Sequence, residues 1–369
     1  MTLLRLLKVW RLLLTNVGFG MRAGRQADQL FRYYTLKTLA DIGFFDYLKE
    51  PRTYGQVLAE FEFADNAYTR ELLKILATDK HNVIIEENDR YRRNPSQALP
   101  HLDATISRTD KRIHNFVLLA EGTARTVIPR LRNESVALSD TFEQEGRQFL
   151  TKFDKVLGNH IYSAMREAAF TYLKGEERDW LRGKTLLDVG CGSGRETAEI
   201  WLKLGGNIHI TAIDAIPGML ELAERDFAII LKEINPAHPS LVDGNRPTFK
   251  LANATQLPFD DNSFDSLFWL FVLHWTSDPR KAISEAVRVV KPGGLIFGAQ
   301  AFKPEANPYF DLIIRTNENC HGFFWREEYR HWFGEHGLEI DMATPAGVFW
   351  TRNTDRRQSL ATVAGGVGQ

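Results

Sequence analysis

Apolar residues recur at helical spacing through the first quarter of the chain. Leu30, Phe31, Tyr34 and Leu39 mark a helix over Gln26–Leu39, and Phe44, Phe45, Tyr47 and Leu48 a short element after a break at Gly43. Thr53 is placed to cap a helix holding Val57, Leu58 and Phe61. Asp65 or Asn66 is placed to cap another, with Leu72, Leu73, Ile75 and Leu76 inward. Val83, Ile84 and Ile85 then read as a strand, Glu87-Asn88-Asp89 as a turn, and Tyr91 as part of the return strand. Three helices followed by a two-stranded ribbon is a winged-helix pattern. Residues 95–150 read as linking helices. A longer helix is expected from about Phe149 to Leu173, and a domain boundary near the charged, glycine-broken Lys174–Lys184. From Thr185 the texture changes to strands alternating with helices, the pattern of an α/β fold with a parallel sheet.

The resulting division is a Leu/Arg-rich amphipathic segment (1–24), a winged-helix-like unit (25–100), linking helices that wall a substrate pocket (101–180), an α/β domain (181–350) and a flexible tail (351–369). Leu3, Leu4, Leu6, Leu7, Val9, Trp10 and Leu12–Leu14 surround Arg5, Lys8 and Arg11 in the first segment, and no acidic residue precedes Asp28. Three readings stand for it: a helix docked on its own domain or on a dimer partner, a helix lying on a membrane surface, or a transit peptide.

Composition narrows the function. The chain has 369 residues and a formal net charge of -1, so it lacks the cationic footprint of a general nucleic-acid binder. From Arg22 to Arg93 there are 12 basic and 12 acidic residues, which argues against DNA binding by the winged-helix-like unit. Such a module with apolar faces instead suits a dimerisation or substrate-lid domain, and a homodimer is expected. Two cysteines, Cys191 and Cys320, make no disulfide framework, and no Cys/His spacing reads as a metal site. A reducing, cytoplasmic setting is the simplest expectation.

The most informative stretch is Thr185-Leu186-Leu187-Asp188-Val189-Gly190-Cys191-Gly192-Ser193-Gly194. An apolar strand enters a loop with glycine at every second position, and a helix follows. A dinucleotide fingerprint needs its third glycine at the sixth place, where Arg195 stands, and a phosphate loop needs Gly-Lys-Ser/Thr. The spacing therefore points to a nucleoside ligand without a pyrophosphate. Asp214 ends the next strand, Ile208–Asp214, where a carboxylate can accept from both ribose hydroxyls; the alternative for it is a helix cap. Asn253 is expected at the end of a third strand, Phe249–Ala254, with its amide available to an adenine edge. A fourth strand is expected over Ser266–Leu273, and Lys291-Pro292-Gly293-Gly294 reads as a tight turn before the strand Leu295–Gly298.

With these motifs in order, residues 183–300 resemble a class I S-adenosylmethionine-dependent methyltransferase: D-x-G-x-G-x-G at Asp188–Gly194, Asp214, L-P-F-x-D-x-S-F-D at Leu257–Asp265, and R-V-V-K-P-G-G at Arg288–Gly294. The wider chain resembles the small-molecule O-methyltransferases that carry an N-terminal winged-helix dimerisation domain. The resemblance implies a doubly wound Rossmann-like sheet, S-adenosyl-L-methionine as cofactor and S-adenosyl-L-homocysteine as product. It puts Asp188, Gly190, Gly192 and Gly194 at the methionine end, Asp214 at the ribose, and Asn253 and Ala254 at adenine. It makes His274 the candidate general base, although Trp275 and Gln300 stand where that family carries acids. Tyr162, Met165, Trp269, His321 and Phe323 are the candidate acceptor-binding residues, and His160 and Arg166 could hold an anionic acceptor. Hydroxyl methylation needs a base and points to His274. Methylation of a thioether or thiol acid, such as methylthio-hydroxybutyrate, fits the loss of the acidic partners. A non-catalytic regulator sensing the cofactor is the alternative of another class.

Overall fold

The computed structural model describes residues 22, 24–134, 136, 146–158, 160–238, 240–241, 245–303, 308–317, 319–343 and 347–353. The Leu/Arg-rich N-terminal segment and the tail after Asn353 lie outside the described residues.

The chain divides into two units. In the unit made of Gly20–Phe153 and Pro304–Gly322, a helix over 24–41 buries Leu30, Phe31, Tyr34 and Leu39. Phe44–Tyr47 follows after Gly43. Strand β1 (Arg52–Thr53) leads into the helix Tyr54–Phe61, which starts in a capping box: Thr53 Oγ1 accepts from Gln56 N–H and Gln56 Oε1 accepts from Thr53 N–H. Of the two expected caps for Ala67–Thr78, Asn66 is the one used, its Oδ1 accepting from Thr69 N–H at 2.9 Å. Strands β2 (Ile84–Glu87) and β3 (Arg90–Arg93) form the expected hairpin, with Asn88 and Asp89 both at positive φ, as a tight primed turn demands. β1 adds to β3, giving a three-stranded sheet of order β1-β3-β2.

The second unit, Asp154–Lys303 and Phe323 onward, carries a seven-stranded sheet. Its strands are β4 (Thr185–Val189), β5 (His209–Asp214), β6 (Thr248–Leu251), β7 (Phe264–Leu270), β8 (Val290–Ala299), β9 (Asp341–Ala343) and β10 (Val348–Arg352), in the order β6-β5-β4-β7-β8-β10-β9. The five strands from β6 to β8 run parallel, and β10 and β9 are antiparallel additions. This is a doubly wound, Rossmann-like α/β sheet. Successive residues serve opposite faces. Leu186, Phe268 and Phe297 pack with Phe170, Trp201 and Phe227 on one side. Leu187, Trp269 and Ile296 pack with Ile283, Phe333 and Phe349 on the other.

Several boundaries differ from the sequence reading. The helix expected over Phe149–Leu173 is two, Gly146–Leu157 and His160–Tyr172, interrupted at Gly158. The division of the chain falls between Phe153 and Asp154, not near Lys174–Lys184, and 304–322 belongs with the N-terminal unit. Lys291–Gly294 is not a turn ahead of the strand but an irregularity inside β8: Val290 pairs with Phe264, and pairing resumes at Leu295 opposite Ser266. β7 ends at Leu270 because Phe271 adopts φ 56, which no strand continues.

Candidate active site

The carboxyl ends of the parallel strands carry most of the candidate site residues, the usual ligand edge of such a sheet. Val189 pairs with Ile213, so Gly190 and Asp214 emerge side by side from β4 and β5. Asp214 Oδ2 accepts from Gly192 N–H at 2.9 Å, and Oδ1 accepts from Ile216 N–H at 2.9 Å. The carboxylate therefore ties the glycine loop to the chain entering the helix Pro217–Ile234. Burial pushes its pKa up, against the backbone amides that favour the anion.

The loop glycines all have positive φ: 68° at Gly190, 53° at Gly192 and 83° at Gly194. Protein atoms also demand them. A Cβ at Gly190 would sit 2.6 Å from Val272 Cγ2, and one at Gly192 would sit 2.8 Å from Leu157 Cδ1. The first contact brings the segment after β7 against the loop, two residues before His274.

Asp188 lies deeper. Its side chain is buried, and Thr197 Oγ1 donates to it, bracing the loop against the following helix. Burial, with the nearby charges of Glu196 and Asp214, pushes its pKa to about 8. Asp154, which the sequence did not single out, clamps the other side. It accepts from Ser193 Oγ and takes Arg195 in a two-point ion pair at 2.7 and 2.9 Å. No local pattern marks Asp154, because its partners lie about forty residues away.

Asn253 lies two residues past the end of β6, not within the strand. Its Oδ1 accepts from Thr255 N–H and Oγ1, each at 2.9 Å, a local turn that fixes the loop. Ala254 is half-buried against the core.

His274 sits in a 3-10 turn, Leu273–Trp275, and is 3% exposed. The left-handed Phe271 redirects the chain into this turn; a bulky residue there is strained, which is common at functional edges. Gln300, immediately after β8, meets the imidazole: its Nε2 is 3.1 Å from His274 Nδ1. The same amide accepts from Leu273 N–H at 3.3 Å and donates to Ala301 O at 2.9 Å. Phe323 lies over the imidazole with centroids 4.6 Å apart, and Trp275 at 5.3 Å. Burial lowers the pKa of His274 to about 3.

The other acceptor candidates separate. Tyr162 packs edge-on against Phe271 at 5.5 Å, and both Tyr162 and Met165 pack against the core. Trp269 is 1% exposed between Phe333 and Phe349, a core position that removes it from an acceptor wall. His321 is exposed and belongs to the N-terminal unit, whereas Phe323 belongs to the sheet unit. Arg166 is spent on Glu196 and Glu199, at 3.0 and 2.6 Å, and is not available to an anionic acceptor. The side chain of His160 lies outside the described residues.

Two of the motifs prove to be braces. Asp265, of the S-F-D stretch, accepts from Thr185 Oγ1 at 2.8 Å and pairs with Lys291 of the K-P-G-G stretch at 2.9 Å. All three stand at the amino ends of β4, β7 and β8, opposite the ligand edge. Arg288 donates to the carbonyls of Leu257 and Phe259, at 3.0 and 2.8 Å, and ties the L-P-F loop to its helix.

Residues 187–298 match the family model described as "Methyltransferase domain". The chain is similar to the O-methyltransferase rstn1 of Aspergillus nomiae, 31% identical over 39% of this chain and 58% of that protein. It is also similar to a demethylmenaquinone methyltransferase of Clavibacter sepedonicus, 36% identical over 31% of this chain and 40% of that one. The chain thus spans about half the length of these curated relatives. Among solved structures, the CurJ carbon methyltransferase shares the fold, with a TM-score of 0.68 at 16% identity over 94% of this chain and 96% of that one. Residues 187–298 of this chain are a class I S-adenosylmethionine-dependent methyltransferase domain.

Proposed function

We propose that the protein transfers a methyl group from S-adenosyl-L-methionine to a small-molecule acceptor. The observation that carries this is the Asp214 carboxylate at the end of β5, held against the glycine loop by Gly192 N–H. The backbone amides of Gly192, Ile216 and Ala215 stabilise the anion, and acceptor capacity left on a carboxylate suits ribose hydroxyls. Gly190, Gly192 and Gly194 would line the methionine end, with Asp188 bracing them from below. Asn253 and Ala254 would face adenine. The sulfonium donor, when bound, supplies a methyl group that needs no further activation, so the protein's task is alignment and exclusion of water.

Isothermal titration with S-adenosyl-L-homocysteine tests the reading. Binding is expected, and Asp214→Ala should weaken it roughly tenfold or more, the loss of a charge-assisted hydrogen bond. A wild-type chain that does not bind removes the proposal.

For the acceptor, the resemblance to O-methyltransferases favours a hydroxyl, with His274, Tyr162, Met165 and Phe323 nearest the chemistry. A specific observation favours a second reading, methylation of a thioether or thiol acid: His274 meets an amide where a base would need a carboxylate, and burial makes it a weak proton acceptor. Donor-labelled transfer to a panel of phenols, hydroxy acids and methylthio acids separates the two. We read the N-terminal unit, with its helices and three-stranded sheet, as winged-helix-like and assign it to homodimer formation.

A further inference from the structure

We propose that Gln300 is a positioning residue that fixes His274 as the neutral tautomer with its proton on Nε2, so that this imidazole donates a hydrogen bond and is not the base of the reaction. The functional consequence rests on the methyltransferase reading; the tautomer does not.

A glutamine amide can face either way, but here the main chain decides. Oε1 accepts from Leu273 N–H, and Nε2 donates to Ala301 O. Turning the amide over would set oxygen against oxygen at Ala301 and N–H against N–H at Leu273. The NH2 group has a second hydrogen, and the group it meets, 3.1 Å away, is His274 Nδ1. A nitrogen that faces a donor presents its lone pair, so the ring proton is on Nε2. An imidazolium would oppose two N–H groups, and burial already disfavours that charged form. The rings of Phe323 and Trp275 hold the imidazole beside Gln300.

A general base needs an unprotonated nitrogen toward the acceptor. In His274 the Nδ1 lone pair is used by Gln300 and Nε2 carries hydrogen. To take a proton, the ring must change tautomer and give up its contact with Gln300. The site therefore suits an acceptor whose reacting atom has no proton for His274 to remove. Nε2–H would serve such an acceptor by donating to an oxygen on it.

The test is two-bond 1H–15N correlation spectroscopy of 15N-histidine-labelled protein near neutral pH, with and without S-adenosyl-L-homocysteine. His274→Gln identifies the relevant signals among the ten histidines. The expected result is the Nε2–H pattern for His274 in both states. Gln300→Glu, whose carboxylate only accepts, should convert it to Nδ1–H. Should that variant fail to fold, Gln300→Met removes the donor and should leave both tautomers populated. A wild-type Nδ1–H or imidazolium pattern overturns the proposal, as does a pure Nε2–H pattern that survives either replacement. Absence of cofactor binding alongside the expected spectra would remove the methyltransferase reading and leave the role of Gln300 standing.

Discussion

At Gly190 and Gly192 two demands meet in one atom. Positive φ and the approach of Val272 and Leu157 both exclude a Cβ. Gly190→Ala should lower stability by about 1–3 kcal/mol, the usual cost of overpacking, and thermal unfolding measures it. Pairing it with Val272→Ala should recover the steric part and leave the backbone strain. The glycines were legible from their spacing; their protein partners were not, since Val272 and Leu157 are ordinary apolar residues in sequence. His274 illustrates the same limit. Its candidacy, and the notice of Gln300 as a replaced acid, come from the family resemblance. That Gln300 faces the imidazole, and which way its amide points, follows only from the two strand ends lying side by side.

Between elements, the ties at the amino ends of the strands carry a pH signature. Lys291 and the Thr185 N–H and hydroxyl groups overcome the cost of burial and hold Asp265 at about 2, below its ordinary 3.8. A depressed carboxylate contributes stability that is present above the unfolded value and is lost as pH falls from about 4 toward 2. The contribution is up to about 2 kcal/mol. Asp265→Asn should therefore cost stability at pH 7 and little at pH 2, as urea melts at the two values would record. Arg288→Met should loosen the loop it ties at Leu257 and Phe259; faster amide exchange across Leu257–Asp265 is the expected sign. Motif recognition located these residues correctly and said nothing of their work, because a brace and a ligand contact leave the same trace in a sequence.

At the level of the whole chain, periodicity located the five parallel strands of the sheet unit and the hairpin of the N-terminal one, but not β9 and β10. It could not reveal that the chain returns after β8 to complete that N-terminal unit. The return is made by Phe310 stacking on Phe31 at 4.6 Å, by Phe310 N–H on Asp28 at 2.9 Å, and by the two-point pair of Arg315 with Glu71. All join residues more than 240 positions apart, beyond any local signal. Asp28 pays for its place there: burial raises its pKa to about 7. The sign is opposite to that of Asp265. A raised carboxylate favours the fold while protonated, and that advantage fades as pH climbs from about 4 through 7. Asp28→Asn should remove this slope, leaving a flatter pH profile of unfolding free energy for the N-terminal unit. Sedimentation should give twice the chain mass if that unit pairs as proposed.

The Thr185–Asp265–Lys291 tie and the His274–Gln300 pair stand at opposite rims of the same strands, roughly 20 Å apart for a strand of this length. Under the proposed function, anchorage and chemistry are thus delegated to different edges. One rim can be exchanged for new acceptors while the other keeps the architecture in register. Libraries screened for heat tolerance and libraries screened for altered substrate choice should accordingly draw their winners from different rims, with little overlap between the two sets.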